Sequence, residues 1–313
     1  MRYLVTGGAG FIGSHLVDEI LRRGHQAAVL DDLSSGKEEN LADARSRIDF
    51  HVGSVTDLAS VQSACRGADY VLHLAARVSV PRSVQDPIET NRVNIDGTLN
   101  VLVAARDAKV RRVVYAASSS AYGESPALPK AETMRPEPLS PYGVAKYTGE
   151  LYAQVFGRVY GLENASVRYF NVFGPRQDPS SQYSGVLSRF MLAAIQGQPP
   201  VVYGDGEQSR DFTYVENVVD ETLRACEASG ASGMVFNGGT GARITLDQVL
   251  RLLETIAGKK IQAKYDAPRP GDIRHSQADI SLARTVLGYE PRVSFEEGLK
   301  RTWQWYLAAY GAK

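Results

Sequence analysis

Three side chains in this sequence can together exchange a proton with the hydroxyl group of a bound molecule. Tyr142 and Lys146 are spaced to lie one turn apart on the same face of a helix. A phenol with an ordinary pKa of about 10 is a poor base at neutral pH, but a nearby ammonium group favours its phenolate. Ser118, the first residue of a serine cluster, can hold the hydroxyl oxygen while Tyr142 takes its proton. The alternative interpretation makes them a loop serine, a packed aromatic ring and a solvated lysine.

The neighbouring residues indicate which elements must position this set. Ser140 is a suitable N-cap and Pro141 a suitable first helical residue, so a helix is predicted from here to about Tyr160. The apolar segment 112–117 is typical of a buried strand, and it runs directly into the serine cluster 118–120. The sequence therefore predicts that these serines lie at the carboxyl end of a strand.

A glycine-rich segment near the beginning of the sequence predicts a dinucleotide site. Residues 1–6 are typical of a short buried strand, and residues 11–23 have the apolar spacing of a helix. A glycine turn between such elements lets the backbone approach a diphosphate, whose charge meets the free N–H groups of the helix. The glycine pattern is one residue wider than the usual G-x-G-x-x-G, and such glycines can also serve packing alone. The predicted cofactor contacts here are Gly7, Gly10, Phe11, Ile12 and Gly13.

The second apolar segment indicates which dinucleotide is bound. Residues 26–30 are typical of a strand and are followed by Asp31 and Asp32. A carboxylate at this place accepts hydrogen bonds from the ribose hydroxyls of NAD and repels the 2′-phosphate of NADP. We therefore predict NAD as the cofactor, with Asp31 and Asp32 among its contacts. The alternative is that both aspartates only cap the following turn.

Strands and helices alternate through the first half of the sequence, as in an α/β protein with a parallel, doubly wound sheet. Ligands of such sheets bind beyond the carboxyl ends of the strands. The glycine segment, Asp31, Ala75, Ala76 and the serine cluster are expected to gather there. The predicted strands are residues 1–6, 26–30, 47–52, 68–75 and 112–117, and the predicted helices are residues 11–23, 58–64, 92–108, 141–160, 246–257 and 281–287.

The composition favours a soluble enzyme without a metal site. The 35 basic and 35 acidic residues cancel, which argues against nucleic acid or a membrane surface as the main partner. Cys65 and Cys226 form no C-x-x-C pair, which indicates the reducing cytoplasm. The histidines lack ligand spacing, and His73 is interpreted as an interior histidine. Neither a membrane-spanning segment nor a signal peptide is expected.

Five motifs in order resemble those of the extended short-chain dehydrogenase/reductase family, specifically its nucleotide-sugar 4-epimerases. The motifs are TGGAGFIG (6–13), Asp31, YAASSSAYG (115–123), Tyr142 with Lys146, and RYFNVFGPRQDP (168–179). The resemblance covers essentially the whole chain. It implies a Rossmann NAD-binding domain over residues 1–173, with a returning segment near 211–239, and a smaller α/β UDP-sugar domain over 174–313. It also implies a homodimer through a four-helix bundle of helices 92–108 and 142–160.

The resemblance implies epimerisation at C4 of UDP-hexoses. Tyr142 takes the proton of the C4 hydroxyl, hydride passes from C4 to tightly held NAD, and the 4-keto sugar turns before hydride returns to its other face. Related dehydratases and decarboxylases carry a carboxylate beside the catalytic serine, whereas residues 118–123 contain none, which disfavours dehydration. The alternatives are a UDP-glucuronate 4-epimerase, a net NAD-dependent sugar-nucleotide dehydrogenase or reductase, and a non-catalytic nucleotide sensor.

The resemblance assigns further residues to both ligands. Arg210 and Arg269 resemble arginines that neutralise the UDP diphosphate, which suits their planar forks of donors, and Asn171 resembles an asparagine that contacts the same group. The remaining predicted cofactor contacts are Ala75, Ala76, Asn94, Tyr142, Lys146 and Tyr169. The predicted substrate contacts are Ser118, Ser119, Ser120, Tyr142, Asn171, Tyr203, Arg210, Arg269 and Ser276.

Two positions distinguish this sequence within the family. Ser276 stands where epimerases restricted to glucose and galactose have tyrosine, which leaves room for a C2 acetamido group. Activity on UDP-N-acetylglucosamine and UDP-N-acetylgalactosamine is therefore also expected, the alternative being that Ser276 is only a small loop residue. Ser54 stands where the family has an aspartate that contacts adenine. Asp57 is not expected to replace it, which puts one NAD contact in doubt.

Overall fold

A parallel sheet forms the centre of the protein in the computed structural model, which describes residues 1–179, 185–268 and 273–311. The strands are β1 (Arg2–Thr6), β2 (Gln26–Asp31), β3 (Ile48–Val52), β4 (Tyr70–His73), β5 (Arg112–Ser118), β6 (Glu163–Tyr169), β7 (Val172–Phe173), β8 (Val201–Tyr203), β9 (Ser209–Arg210), β10 (Thr213–Tyr214), β11 (Met234–Gly238), β12 (Ile244–Thr245) and β13 (Lys264–Asp266). The central sheet has seven strands in the order β11-β6-β5-β4-β1-β2-β3. Strands β2, β4 and β5 are mostly apolar because both faces of the sheet are covered there.

The helices of the protein cover both faces of this sheet and also form part of the C-terminal region. They are α1 (Phe11–Arg22), α2 (Leu58–Cys65), α3 (Val80–Gln85), α4 (Pro87–Asn91), α5 (Gly97–Asp107), α6 (Pro141–Tyr160), α7 (Val186–Ile195), α8 (Val215–Glu227), α9 (Leu246–Ala257) and α10 (Phe295–Tyr310). The apolar faces of α1 and α8 belong to one buried cluster, and those of α2, α5 and α6 belong to another. This arrangement confirms the predicted α/β fold with a doubly wound parallel sheet.

Two predicted elements differ from the structure by more than one residue at an end. The helix predicted over 92–108 begins earlier, because Asp86 caps α4 by accepting a hydrogen bond from Glu89 N at 3.0 Å. A π-helical turn, Arg92–Asp96, then joins α4 to α5. The strand predicted over 68–75 is shorter, since the N–H of Ala75 bonds a threonine side chain instead of the neighbouring strand.

The C-terminal part forms smaller paired strands beside the sheet. β9 pairs antiparallel with β12, β8 pairs parallel with β13, and β7 pairs parallel with β10. Between these pieces the chain returns to the central sheet, where β11 pairs with β6. The helices predicted over 246–257 and 281–287 are present as α9 and as a short segment that ends in the π-helical turn Ala283–Leu287.

Candidate active site

The glycine segment brings the backbone after β1 close to the backbone after β4. Gly7 has a φ of +71°, in the left-handed region that favours glycine. A Cβ on Gly7 would lie 2.8 Å from the backbone nitrogen of Ala75, and one on Gly13 would lie 2.2 Å from the carbonyl oxygen of Gly7. Side chains at these positions would therefore displace the turn, and their absence keeps the backbone open to a ligand.

The first turn of α1 offers N–H groups to an anion. The helix starts with Phe11 and Ile12, and its N-cap residue Gly10 has no side chain to bond them. The Ser14 N–H donates to the carbonyl of Gly10 at 3.1 Å, which closes the first helical turn. These free donors and the positive end of the helix dipole fit the diphosphate of NAD.

Asp31 ends β2 with its carboxylate buried against the glycine turn. One oxygen accepts from the N–H of Ala9 at 2.9 Å and the other from the N–H of Leu33 at 2.8 Å. Burial raises the pKa of Asp31, and each oxygen keeps a lone pair for a ribose hydroxyl. Asp32 instead accepts from the backbone and hydroxyl of Ser34, so it does cap the turn, and its contact with NAD stays a prediction.

The chain after β4 is fixed at the same sheet edge. The N–H of Ala75 donates to Thr6 Oγ1 at 3.3 Å, and Ala76 follows. Asn94 Oδ1 accepts from the backbone N–H of Arg77 at 2.7 Å, and Asn94 Nδ2 donates to the carbonyl of Arg77 at 3.1 Å. The amide of Asn94 thus holds this segment, and a direct contact between Asn94 and NAD stays a prediction.

The structure brings the serine cluster and Tyr142 together. Ser118 ends β5 and lies close enough to Tyr142 for a side-chain hydrogen bond. Its Oγ also accepts from the N–H of Ser120 at 3.2 Å and from the Ser120 hydroxyl at 2.9 Å, while Ser119 begins a short 3-10 turn. A Cβ on Gly143 would lie 3.0 Å from the carbonyl oxygen of Ser120, so this glycine lets α6 approach the cluster.

The predicted start of α6 is confirmed. Ser140 Oγ accepts from the N–H of Gly143 at 3.1 Å, and Pro141 is the first helical residue. The N–H of Tyr142 donates to Ser83 Oγ at 3.1 Å, which ties the beginning of α6 to α3. Tyr142 therefore stands on a helix that is fixed at its first turn.

Lys146 lies one turn further along α6 and is almost completely buried, with 3% of its surface exposed. Its Nζ donates to the carbonyl of Ala116 at 2.7 Å and lies 5.0 Å from the centroid of the Tyr115 ring. Burial lowers the pKa of Lys146 to about 7. A Cβ on Gly149 would lie 2.4 Å from the Tyr115 hydroxyl, so this glycine admits the ring.

The pKa of Tyr142 is raised in the structure, whereas the sequence predicted that Lys146 would favour the phenolate. Burial raises the pKa of Tyr142, and the hydrogen bond from Ser118 opposes this only in part. Lys146 bonds the carbonyl of Ala116 and does not by itself favour the phenolate as expected. The free protein therefore holds Tyr142 as a neutral phenol, and the positive nicotinamide of NAD is the charge that would favour its phenolate.

A buried ion pair beneath the catalytic set was not predicted from the sequence. Arg168 donates to Glu150 through Nη2 at 2.7 Å and Nε at 3.0 Å, and both residues are buried. The negative charge of Glu150 opposes the lowering of the pKa of Lys146. Glu150 follows Lys146 by one helical turn, which is the signal that could have revealed it.

Tyr169 ends β6 directly opposite Ser118 in the strand register. Its hydroxyl shares a hydrogen bond of 2.7 Å with Thr222 Oγ1, and burial raises its pKa. The neighbouring carboxyl of Glu221 is fully buried, and neither of its oxygens has a hydrogen-bond partner among the residues that the structure describes. Burial raises the pKa of Glu221 well above its ordinary value, which favours its neutral form.

The predicted substrate residues gather around β9 and the segment 273–278. Asn171 Nδ2 donates to the carbonyl of Asp211 at 3.2 Å and to Ser276 Oγ at 3.2 Å. The N–H of Ser276 donates to the carbonyl of Ser209 at 3.0 Å, and Arg210 Nη1 donates to the same carbonyl at 3.0 Å. Asn171, Arg210 and Ser276 therefore belong to one wall.

Tyr203 and Arg269 complete the predicted set on this side. Tyr203 ends β8, and its carbonyl accepts a hydrogen bond from Gln208. The guanidinium of Arg189 lies 5.9 Å from the centroid of the Tyr203 ring. Arg269 lies outside the described residues, so its contact with the UDP diphosphate stays a prediction.

Asp211 connects the segments of this wall, although its residue type and spacing in the sequence did not predict such a role. Its buried carboxylate accepts from the N–H and hydroxyl of Thr240 at 2.9 and 2.7 Å, from Gly241 N at 3.0 Å and from Ala278 N at 3.1 Å. It thereby joins β9 to two distant loops. Its place directly after Arg210 was the available signal.

The remaining predictions concern polar residues away from the catalytic set. Asp57 caps α2, and Ser54 Oγ bonds Thr56; the loss of an adenine contact at Ser54 stays a prediction. His73 is an interior histidine, since its two ring nitrogens bond Thr6 and Thr98, and burial lowers its pKa to about 3. Within the described ranges, no group of three or more His, Cys, Asp or Glu residues could hold a metal ion.

The sheet, the glycine turn and the Ser–Tyr–Lys set define an NAD-binding protein of the short-chain dehydrogenase/reductase class. Residues 3–239 match the model of the NAD dependent epimerase/dehydratase family, and the chain belongs to this family. This confirms the resemblance read from the motifs.

The chain is also similar to individual proteins that are named 4-epimerases of UDP-sugars. The chain is 40% identical to the UDP-glucose 4-epimerase of Mycolicibacterium smegmatis, over 98% of both chains. The structure of UDP-glucose 4-epimerase with UDP-glucose from Thermotoga maritima superposes with a TM-score of 0.94, 41% identity and 99% coverage of both chains. That of UDP-N-acetylglucosamine 4-epimerase from Methanobrevibacter ruminantium M1, in complex with UDP-N-acetylmuramic acid, superposes with a TM-score of 0.94, 39% identity and 98% coverage of both.

Proposed function

We propose that the protein is an isomerase that epimerises UDP-hexoses at C4, with NAD as its bound cofactor, through a transient 4-keto sugar. The observation that carries this proposal is that Ser118 lies close to Tyr142 at the same edge of the sheet as the glycine turn. Buried Lys146 follows Tyr142 by one helical turn. UDP-glucose and UDP-galactose are the first substrate pair, which the names of the similar proteins support.

The residues of the chain hold the sugar and move its proton. Bound NAD supplies the acceptor and donor of hydride. Ser118 holds the C4 oxygen, Tyr142 takes the hydroxyl proton and later returns it, and Lys146 holds the ribose of the cofactor. The buried surroundings strengthen each of these polar contacts because water is excluded. The segment 118–123 has no carboxylate to remove or add a proton at C5, which supports epimerisation over dehydration.

The UDP-sugar is assigned to the C-terminal part of the chain. We propose a Rossmann NAD domain over residues 1–173, with the return near 211–239, and a UDP-sugar domain over 174–313. Asn171, Arg210 and Arg269 contact the diphosphate, and Tyr203 contacts the nucleotide. The shared wall of Asn171, Arg210 and Ser276 described above supports this assignment.

The range of sugars depends on Ser276. Its side chain is small and half-buried, and its hydroxyl accepts from Asn171. A tyrosine here would occupy space beside C2, so Ser276 leaves room for an acetamido group. We therefore propose UDP-N-acetylglucosamine and UDP-N-acetylgalactosamine as a second substrate pair. A UDP-glucuronate 4-epimerase and a net dehydrogenase are the alternatives.

An apolar stripe on α6 supports a homodimer. Val144, Leu151, Val155 and Val159 are between 43% and 64% exposed, and their spacing places them along one side of the helix. Such a stripe suits the four-helix bundle of two copies.

No helix in the described part of the chain is long and apolar enough to cross a membrane. A cytoplasmic location is proposed because Cys65 and Cys226 are free and buried.

Incubation with separate sugar nucleotides tests this function. Purified protein receives UDP-galactose, UDP-N-acetylgalactosamine or UDP-glucuronate, with NAD at most equal to the protein concentration, and the C4 epimers are followed by NMR. We expect UDP-glucose and UDP-N-acetylglucosamine to form without net reduction of NAD. Accumulation of NADH without epimers would refute an epimerase, and turnover of UDP-glucuronate alone would favour the acidic alternative. Inactivity on the acetylated sugar with normal turnover of UDP-galactose would refute the second pair.

A further inference from the structure

The side chain of Arg77 crosses the sheet edge where the glycine turn begins. β1 lies between β4 and β2, so its carboxyl end, which leads into Gly7, is flanked by the segments after β4 and after β2. Arg77 belongs to the first segment and Ser34 to the second. Nη1 of Arg77 donates a hydrogen bond to Ser34 Oγ. The guanidinium therefore spans the end of β1.

The backbone of Arg77 is fixed, whereas its guanidinium is only partly satisfied. Asn94 bonds both the N–H and the carbonyl of Arg77. Nη2 lies 3.5 Å from Glu89 Oε1, which is longer than an ordinary charge-assisted hydrogen bond. Nε is buried and has no acceptor among the residues that the structure describes. A buried N–H without an acceptor is costly, so this donor suits an oxygen atom of a ligand.

The two carboxylates near Arg77 are shared with other groups: Glu89 with Arg92, and Asp32 with the backbone and hydroxyl of Ser34. Glu89 lies 3.5 Å from Arg77 and 3.9 Å from Arg92, so one carboxylate faces two guanidiniums. Lys37 is the neighbouring cation, and its backbone N–H donates to the carbonyl of Ala9. Its side-chain ammonium is paired with Asp178 at 3.0 Å. Compared with Lys37, Arg77 is thus better placed to meet a charge on the glycine turn.

We propose that Arg77, Ser34 and Glu89 form a clasp that retains NAD, with the guanidinium of Arg77 closing over the diphosphate side of the cofactor. This inference rests on the proposed function only in taking NAD as the bound dinucleotide. The hydrogen bond from Arg77 to Ser34 bridges the cleft, so it must open for the cofactor to leave. Arg77 is a binding residue of this chain and takes no part in proton transfer.

The clasp also accounts for how NAD is held without the adenine contact. Ser54 replaces the expected aspartate, and its Oγ is used by the N–H of Thr56 at 3.2 Å. An epimerase that returns hydride to the same sugar needs a cofactor that stays bound through the cycle. A clasp across the diphosphate supplies retention that does not depend on the base.

Dissociation of NAD from purified variants tests the clasp. The wild-type protein, Arg77→Gln and Ser34→Ala are loaded with NAD, and its release is measured by stopped-flow displacement together with the equilibrium Kd by calorimetry. We expect Arg77→Gln to raise the dissociation rate and Kd about tenfold or more, as for loss of a hydrogen bond to a charged group. Ser34→Ala is expected to raise the dissociation rate less, because it keeps the cation.

Two further variants separate the clasp from general effects. Arg66→Gln removes one positive charge beyond the end of α2, at the opposite edge of the sheet, and is expected to release NAD like the wild type. Arg77→Lys keeps the charge but loses the fork of donors, and an intermediate rate is expected. Release from Arg77→Gln at the wild-type rate, with thermal unfolding unchanged, would overturn the clasp. Because binding is measured without sugar, loss of the clasp is distinguishable from absence of epimerase activity.

Discussion

The cofactor side and the substrate side of the site are built in different ways. On the cofactor side, which here includes the catalytic set, each group ends a strand or begins a helix: Asp31 ends β2, Ser118 ends β5, and Tyr142 lies in the first turn of α6. On the substrate side Asn171 bonds Ser276, which is 105 positions away. Parallel strands all end at one edge of the sheet, so the topology alone brings functional residues together there. The residues proposed to bind the sugar come instead from segments that meet only in the folded chain.

Removing the phenol of Tyr142 is expected to have the largest effect. If the cofactor side carries the chemistry, Tyr142→Phe lowers kcat about 10²- to 10⁴-fold because proton transfer is lost, while NAD and UDP-sugar still bind. Tyr147→Phe, on the same helix, is the matched control and should turn over like the wild type. Steady-state kinetics and calorimetry on both variants check this. Undiminished kcat in Tyr142→Phe would contradict the assigned role.

Breaking the ion pair beneath the cofactor side is expected to affect stability. Arg168→Met leaves the carboxylate of Glu150 buried and unpaired, which costs about 3–5 kcal/mol of unfolding free energy. The double variant Glu150→Gln/Arg168→Met should recover part of this loss, because neither charge of the pair remains. Urea unfolding measures both. Equal stabilities of the wild type and Arg168→Met would show that the pair does not support this side.

Filling the substrate side is expected to change sugar preference without changing chemistry. Ser276→Tyr should lower kcat/KM for UDP-N-acetylgalactosamine roughly 10- to 200-fold, the range for steric discrimination in a pocket, and leave UDP-galactose nearly unaffected. Ser276→Ala keeps the space and is the control. An equal loss on both sugars in Ser276→Tyr would mean that this position does not distinguish them.

The smallest effect, taken per pH unit, concerns the pH dependence of stability. Burial lowers the pKa of Lys146 from 10.5 to about 7, so between these values the unfolded chain binds more protons at this lysine than the folded protein. The unfolding free energy should therefore rise with pH across this window, by at most about 1.4 kcal/mol per pH unit. Lys146→Met should lose this slope, and Lys300→Met, on exposed α10, should keep it. Parallel slopes in all three proteins would contradict the burial of a titrating Lys146.

The same comparison explains what the sequence could predict. The strand-end serine, the capped start of α6 at Ser140 and the aspartate after β2 are local patterns, and the structure bears out their placement. The interior position of His73 was also predicted, because a histidine within an apolar strand meets side chains rather than solvent. These features depend on residues within one strand–turn–helix unit.

The features that escaped prediction depend on long-range contacts or on burial. Asp211 reaches the loops at 240–241 and 278 only after folding, and Arg168 meets Glu150 across β6 and α6. The raised pKa of Tyr142 follows from desolvation, which has no local sequence pattern. The early start of the helix before α5 was missed because the π-helical turn interrupts its apolar period.

The fate of the hydrogen at C4 tests the central proposal most directly. UDP-galactose that carries deuterium at C4 is incubated with the protein in ordinary water, and the UDP-glucose formed is analysed by NMR and mass spectrometry. Transient oxidation at C4, with the hydride returned by the same bound cofactor, predicts that the product keeps deuterium at C4. Replacement of that deuterium by hydrogen from water would contradict the account.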